Sequence, residues 1–309
     1  MKPATERNAL FLSTAASLVM GVIGVTVALL ANSGAILLDG MFNLTYFLVA
    51  LASVRVARLV QQPGDERFPR GYAYFESLIN AGKGLLILGI SAVALVDALM
   101  ALLSGGRAIV VGLAIGYAAF ATLFCALVTL LLHIAWRREP TPLVRADREN
   151  WLINTVVSGA VLLAFGLIPL AQARGLAGLA PYIDPALVAA VVLLFIGIPL
   201  RMAWRGVMEL LDRAPPEAVS RPLVAAIDTV LAPLPVCQRY IRIVRPGRTV
   251  FVTIHIVLPD DFPVERLPRL DQIRQALDGA LRRLEPRLVT DTLFTADERW
   301  AVPRTGISL

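Results

Sequence analysis

Two cysteines and two histidines are all that the 309 residues contain, and the lysines are only Lys2 and Lys83. Cys125 stands in an apolar run and Cys237 in the polar C-terminal part, with no CxxC spacing, so neither a disulfide framework nor a thiolate metal site is indicated. His133 and His255 are too few and too scattered to build a histidine-based metal centre or an acid–base pair. No nucleophile–base pair and no phosphate-binding loop stands out, so the sequence gives no support for an enzyme. Charge is scarce as well: 17% of residues are charged and 57% are hydrophobic. An ordinary soluble domain is excluded by that balance. The net charge of +6 does not point to nucleic acid, because the arginines sit at the ends of apolar runs and form no single basic patch.

What is present is length of hydrophobic chain. Six apolar runs follow a short basic leader, Met1 to Arg7: Asn8–Ala31, Ser33–Leu59, Glu76–Leu103, Ala108–Trp136, Asn150–Ala173 and Pro185 to about Leu211. Each is long enough for the roughly 20 residues that a spanning helix needs. The first has no convincing cleavage site and is expected to be a retained helix. Breakers separate the runs: Pro63, Gly64, Pro69 and Gly71; Gly105 and Gly106; then Arg137, Arg138, Glu139, Pro140 and Pro142. Six spans put both termini on one side. Lys2, Arg7, Arg55, Arg58, Arg67, Arg70, Arg137, Arg138, Arg145 and Arg148 lie on that side, against Arg107 and Arg174 on the other. The positive-inside rule makes it the cytoplasmic side.

From Arg213 the character changes. Ala218–Leu231 reads as a helix, Arg239–Val244 and Val250–Leu258 as strands joined at Pro246-Gly247-Arg248, Val264–Leu284 as a helix and Arg287–Phe294 as a strand. In the second strand Val250, Val252, Ile254 and Ile256 alternate with Phe251, Thr253 and His255. The expected fold is a polytopic α-helical membrane protein with a cytoplasmic α+β, ferredoxin-like (α-β-β-α-β) tail. The expected division is 1–212 for the membrane domain and 213–309 for the tail.

The second run contains SGAILLDGMFNLTY, from Ser33 to Tyr46. An acid inside a span is costly unless paired or hydrated, which marks Asp39 for attention. Asn43 lies one turn on. Asp39 reads either as a structural residue tying the neck of the helix or as a ligand or proton carrier. In the third run Glu76, Asn80 and Lys83 share one face, with Lys83 roughly 10 Å deeper than Glu76. Lys83 either snorkels to the surface or pairs with Asp39 or Glu76 and takes the position of a cation. Together Asp39, Asn43, Glu76, Asn80 and Lys83 make a candidate polar pathway. Asp97, about 21 Å beyond Lys83, falls at the outer interface.

Six spans, cytoplasmic termini and an α-β-β-α-β tail resemble the cation diffusion facilitator family. SGAILLDG, RFPRGYAYFESL (Arg67–Leu78), RADRENWLINTVVSGAVLL (Arg145–Leu163) and the stretch from Ile183 to Glu217 are similar to its second span, its loop into the third, its fifth span, and its sixth span and exit. The resemblance implies a homodimeric divalent-cation exporter, usually proton-coupled, dimerising through the sixth span and tail. It also implies a tetrahedral transport site with two ligands, i and i+4, from each of the second and fifth spans. A gapless alignment places Phe42, Tyr46, Asn150 and Asn154 at those positions. A shifted register would use Asp39 and Asn43. The two asparagines of the fifth span either bond between helices or line a polar pathway.

Neither set matches the His/Asp chemistry that borderline metals prefer. The metal transport site therefore reads as degenerate. The function expected from the resemblance is secondary cation efflux with non-standard selectivity; the alternative is a non-transporting relative acting as dimer partner, sensor or scaffold. No cofactor is expected, and the altered set argues against divalent-metal binding. The expected partners are the lipid bilayer, a second copy and a cation, with no nucleic acid. Tyr72 takes a loop position where relatives carry a metal-binding His. In the tail His255, with Asp291 and Asp297, is the regulatory metal candidate. An Arg-rich, short chain suggests a bacterial plasma membrane.

Overall fold

The computed structural model describes residues 4–62, 64–138, 140–263 and 267–302. The leader base Lys2, the breaker Pro63, Glu139 and the expected first residue of the last tail helix, Val264, lie outside them. Among the described residues nine α-helices and three strands follow in order: α1 (Ala4–Ala31), α2 (Gly34–Leu59), α3 (Tyr74–Leu103), α4 (Val111–Arg138), α5 (Pro142–Ala173), α6 (Ala180–Phe195), α7 (Gly197–Leu210), α8 (Glu217–Leu231), β1 (Gln238–Val244), β2 (Val250–Val257), α9 (Leu267–Leu284) and β3 (Leu288–Thr295). Six of the helices are long and apolar enough to cross a membrane.

The chain packs as two units. One comprises Met1–Arg55 with Ile79–Trp204, and the other Val56–Leu78 with Arg205–Leu309. The stretches 56–78 and 205–212, part of the expected membrane domain, therefore pack with the tail residues.

In the first unit the core forms where α1, α4 and α5 meet, around Met20, Tyr117, Leu132, Trp151 and Phe165. Helices α1 and α2 approach closely at Gly24 and Gly40. A β-carbon on Gly40 would meet the Val25 backbone nitrogen at 2.6 Å, so only glycine permits this crossing. Asn32, with φ of 54°, reverses the chain between the two helices. The Ser33 hydroxyl then caps α2, accepting from Ile36 N at 3.3 Å.

Two elements differ from the sequence expectation. Helix α5 starts at Pro142 rather than Asn150, because Thr141 caps it, accepting from Val144 N at 3.4 Å, and proline suits the first helical turn. The charged stretch Arg145–Glu149 is thereby helical. The sixth apolar run is not one helix to Leu211. It divides at Ile196 into α6 and α7. Pro199 has no N–H to continue the ladder, and its ring crowds the carbonyl four residues back, at Phe195.

In the second unit the tail follows the expected order, α8-β1-β2-α9-β3. Strand β1 pairs antiparallel with β2, and β2 pairs parallel with β3 across the α9 crossover. The alternation read from the sequence holds: Val250, Val252, Ile254 and Ile256 are buried, packing with Leu223 and Ile227 of α8 and Leu277 and Leu281 of α9. A helical stripe at three- and four-residue spacing and a period-two strand face can close only on each other, which builds this layer of helices on a sheet.

Candidate functional site

The first unit encloses a cavity of about 610 Å³, with residues of α1 through α7 in its wall. On α2 its lining is Asp39, Phe42, Asn43 and Tyr46, spaced i, i+3, i+4 and i+7, which is one helix face. On α5 it is Asp147, Asn150 and Asn154, again i, i+3 and i+7. Lys83 of α3 and Tyr117 of α4 also line it. Asp39, Asp147 and Lys83 are the charged side chains in the wall; the remainder is mostly aliphatic and aromatic, with several serines.

All four positions named by the resemblance, Phe42, Tyr46, Asn150 and Asn154, thus face one space. Of the candidate pathway, Asp39, Asn43 and Lys83 are there too. Glu76 and Asn80 do not line the cavity. Asn80 is exposed on α3. Glu76 belongs to the second unit, where its carboxylate accepts from Arg248 N at 2.9 Å and lies 3.7 Å from Arg248 Nε. The neighbouring Ser77 hydroxyl donates to Glu209 at 2.7 Å and accepts from Gly247 N at 2.9 Å.

Asp39 does not cap its helix; Ser33 does. Its Oδ2 accepts from the Tyr117 hydroxyl at 2.6 Å and its Oδ1 from Asn43 Nδ2 at 3.1 Å. The same Nδ2 donates to the Asp39 carbonyl at 2.9 Å. Asn43 is 2% exposed, and its Oδ1 has no hydrogen-bond partner among the described residues. Such an orphan is uncommon, since buried polar groups are nearly always paired.

Lys83 forms no ion pair with Asp39. Its ammonium sits 4.5 Å from the centre of the Tyr46 ring, a cation–π contact. Asp147 of α5 lines the same cavity as Lys83. Asp147 and Tyr117 are the site residues that sequence reading passed over. Asp147 had a usable signal, the i, i+3, i+7 set with Asn150 and Asn154. Tyr117 had none, standing alone in an apolar run.

Another acid, fully buried, explains the neck of α2. Asp184 of α6 is 0% exposed. It accepts from the Ser33 hydroxyl at 2.6 Å, from Gly34 N at 2.9 Å, from Ala35 N at 3.1 Å and from Arg107 at 3.4 Å. Arg107 also pairs with Asp97. The structural role considered for Asp39 therefore belongs to Asp184.

The remaining candidates lie elsewhere. Tyr72 donates to Asp65 Oδ2 at 2.7 Å, and this bond holds the Asp65 carboxyl below the usual carboxylate range. His255 Nδ1 donates to the Ala301 carbonyl at 3.1 Å. Asp297 caps the short turn Glu298–Trp300 and pairs with Arg299, while Asp291 is exposed on β3. Among the described residues no three His, Cys, Asp or Glu side chains gather closely enough to hold a metal. The tail candidates His255, Asp291 and Asp297 are thus not brought together.

Comparison with known proteins gives a consistent outcome. A family model described as the cation efflux transmembrane domain matches residues 10–211. The cation-efflux pump FieF of Salmonella paratyphi A is 26% identical over 276 residues, covering 88% of this chain and 85% of its own. FieF of Shigella boydii serotype 18 is 27% identical over 261 residues, 83% of this chain and 81% of its own. FieF of Salmonella enteritidis PT4 is 26% identical over 276 residues.

Proposed function

Because this chain belongs to the cation efflux family, and so to a family of integral membrane transporters, we propose that it is a secondary cation transporter whose selectivity departs from His/Asp metal chemistry. The observation that carries this reading is the meeting of Phe42, Tyr46, Asn150 and Asn154 in one cavity with Asp39, Asn43, Lys83 and Asp147. The four positions named by the resemblance offer only amides and aromatic rings, and two carboxylates in a wall that also holds Lys83 do not make up the His/Asp set that offsets the dehydration of a divalent ion. It can accept a cation of single charge.

Transport on this reading is alternating access. The helices rock about a polar site and expose it to one side and then the other. Exchange against protons is the coupling, with Asp39 and Asp147 as the acids able to carry them. Both termini face the cytoplasm of a bacterial cell, in keeping with the arginine distribution and with the bacterial relatives. The working unit is a homodimer.

The test is flux. Purified protein in vesicles with a trapped pH dye is offered isotope-labelled sodium, potassium, manganese, zinc and butylammonium in turn. Monovalent cations are expected to move and to exchange against protons, with at least tenfold less flux for Asp39→Ala and reduced flux for Asn154→Ala. Movement of none of these cations sinks the transporter reading in favour of a non-transporting membrane partner.

A further inference from the structure

Helices α4 and α5 form a second concave surface, a groove of about 450 Å³ whose lining residues all belong to these two helices. None of them lines the large cavity. The groove is polar at one end, where α4 closes and α5 begins. There Arg148 Nη1 donates to His133 Nδ1 at 3.4 Å. An imidazole that accepts at Nδ1 carries its proton on Nε2, so it presents a donor as well. Arg148 Cζ lies 4.7 Å from the centre of the Trp136 ring, a face contact that uses none of the guanidinium N–H groups. Glu149 is 3.7 Å from Arg148 and is held more closely, at 2.8 Å, by Arg145. The Arg148 side chain is only 20% exposed. With five N–H groups and only these long contacts to acceptors among the described residues, it is short of acceptors.

Deeper in, the groove has no donor to offer. Thr129 and Thr155 bond to each other at 3.3 Å, and Thr155 donates to the Trp151 carbonyl at 2.8 Å, so both hydroxyl protons are engaged. Ala126, Leu130 and Leu152 make up the rest, extending roughly 10 Å beyond His133 at about 1.5 Å per residue. One turn from Leu130 and Leu152, the apolar side chains of Leu127, Ile134 and Val156 are exposed, a surface suited to hydrocarbon. Arg148 is the one formal charge among the lining residues, and the exposed Arg137 and Arg138 end α4 beside it.

We propose that this groove is a binding site for an anionic phospholipid. The lipid phosphate accepts from Arg148 and from His133 Nε2, and an acyl chain lies along Ala126, Leu130 and Leu152. Basic pockets between membrane helices suit such headgroups, and a guanidinium meets phosphate oxygens with paired N–H groups. Trp136 stands at the level of the headgroups, where indoles collect. A choline lipid is disfavoured, because its quaternary ammonium enters among Arg137, Arg138 and Arg148 with no acid in the groove wall to meet it. A free phosphate ion leaves the apolar length of the groove uncovered. The site does not depend on whether a cation moves.

The experiment is native mass spectrometry of the full-length protein in detergent, titrated with dioleoyl phosphatidylglycerol, dioleoyl phosphatidylcholine or inorganic phosphate. One phosphatidylglycerol is expected to be retained per chain, about tenfold tighter than phosphatidylcholine. Arg148→Gln is expected to weaken it about fivefold, the worth of one base at a membrane surface. Leu152→Trp fills the groove with every charge in place and is expected to weaken it about as much. Arg55→Gln removes an exposed base of α2 outside the groove and is expected to leave retention unchanged. Thermal melting confirms that the variants are folded, and the wild-type comparison of the two lipids stands by itself if one is not. Equal retention of the two lipids overturns the proposal. So does wild-type retention by both groove variants, or a loss in Arg55→Gln equal to that in Arg148→Gln, which reduces the effect to overall charge. Displacement of the lipid by millimolar inorganic phosphate makes the occupant a free anion and overturns it too. Binding is read here without flux, so the transporter reading stands or falls separately.

Discussion

Helix α2 meets two acids, one fully buried and one half-buried, and they are used in opposite ways. At its start Asp184 reaches across from α6 and accepts from a hydroxyl, two backbone amides and a guanidinium. A carboxylate offers about four acceptor sites, and here all are taken. Two turns along, Asp39 accepts from Tyr117 and Asn43 alone, in the wall of a cavity and beside an acceptor that has no donor. One acid is saturated and holds helices together. The other keeps capacity for a ligand. Residue type does not separate them; the number of donors the fold brings does.

The largest effect should come from the saturated acid. Asp184→Ala leaves Arg107, whose side chain is only 16% exposed, with Asp97 alone, and takes the acceptor from Gly34 N and Ala35 N at the start of α2. Breaking a buried pair in this way costs about 3–5 kcal/mol. A melting curve in detergent should show a large drop, and a loss under about 1 kcal/mol would break the contrast. Next is Tyr117→Phe, which removes one of the two donors to Asp39. Its cost should be about 1–3 kcal/mol, the worth of one hydrogen bond to a charged group. The same substitution should weaken cation binding, because Asp39 loses the contact that orients it. The smallest effect on stability should come from Asp39→Asn. An amide can still accept from Tyr117, and no arginine is stranded, so stability should stay within about 1 kcal/mol of wild type. A cost like that of Asp184→Ala would make Asp39 a structural acid and remove the contrast altogether.

Much of the fold was legible because its signals are local. The six apolar runs declare themselves by length. The tail declares itself by period: β2 alternates and α9 keeps a three-and-four stripe, and the buried residues are those the pattern selects. Boundaries were less legible where a cap or a proline decides. Thr141 moves the start of α5 back and places Asp147 on a membrane helix; Pro199 divides the sixth run.

The site was legible in part. Phe42, Tyr46, Asn150 and Asn154 face one space as the i, i+4 spacing suggests, and Asp39 and Asn43 join them. Glu76 and Asn80 do not, although they share the Lys83 face of α3. A helix face extends along the whole helix, whereas a cavity occupies only part of it. The tail candidates failed for a related reason. His255 on a strand face finds a backbone carbonyl, and among the described residues no group of three His, Cys, Asp or Glu side chains forms.

By itself the sequence determined that this is a six-helix membrane protein with a small α+β tail, and that the positions marked by the resemblance carry no His, Asp or Glu. Hydrophobic length, strand alternation and residue identity are properties of neighbours in the chain, so they can be read along it. The stretch from Ser33 to Tyr46 marked the right helix, but its chemistry depended on partners far away. Only the tertiary structure decided that Asp184 ties the neck, that Asp39 and Asn43 line a cavity, and that Lys83 lies on Tyr46. Each of these joins segments about 40 to 150 residues apart. Burial and hydrogen-bond supply at such a point are set by whichever helices pack there.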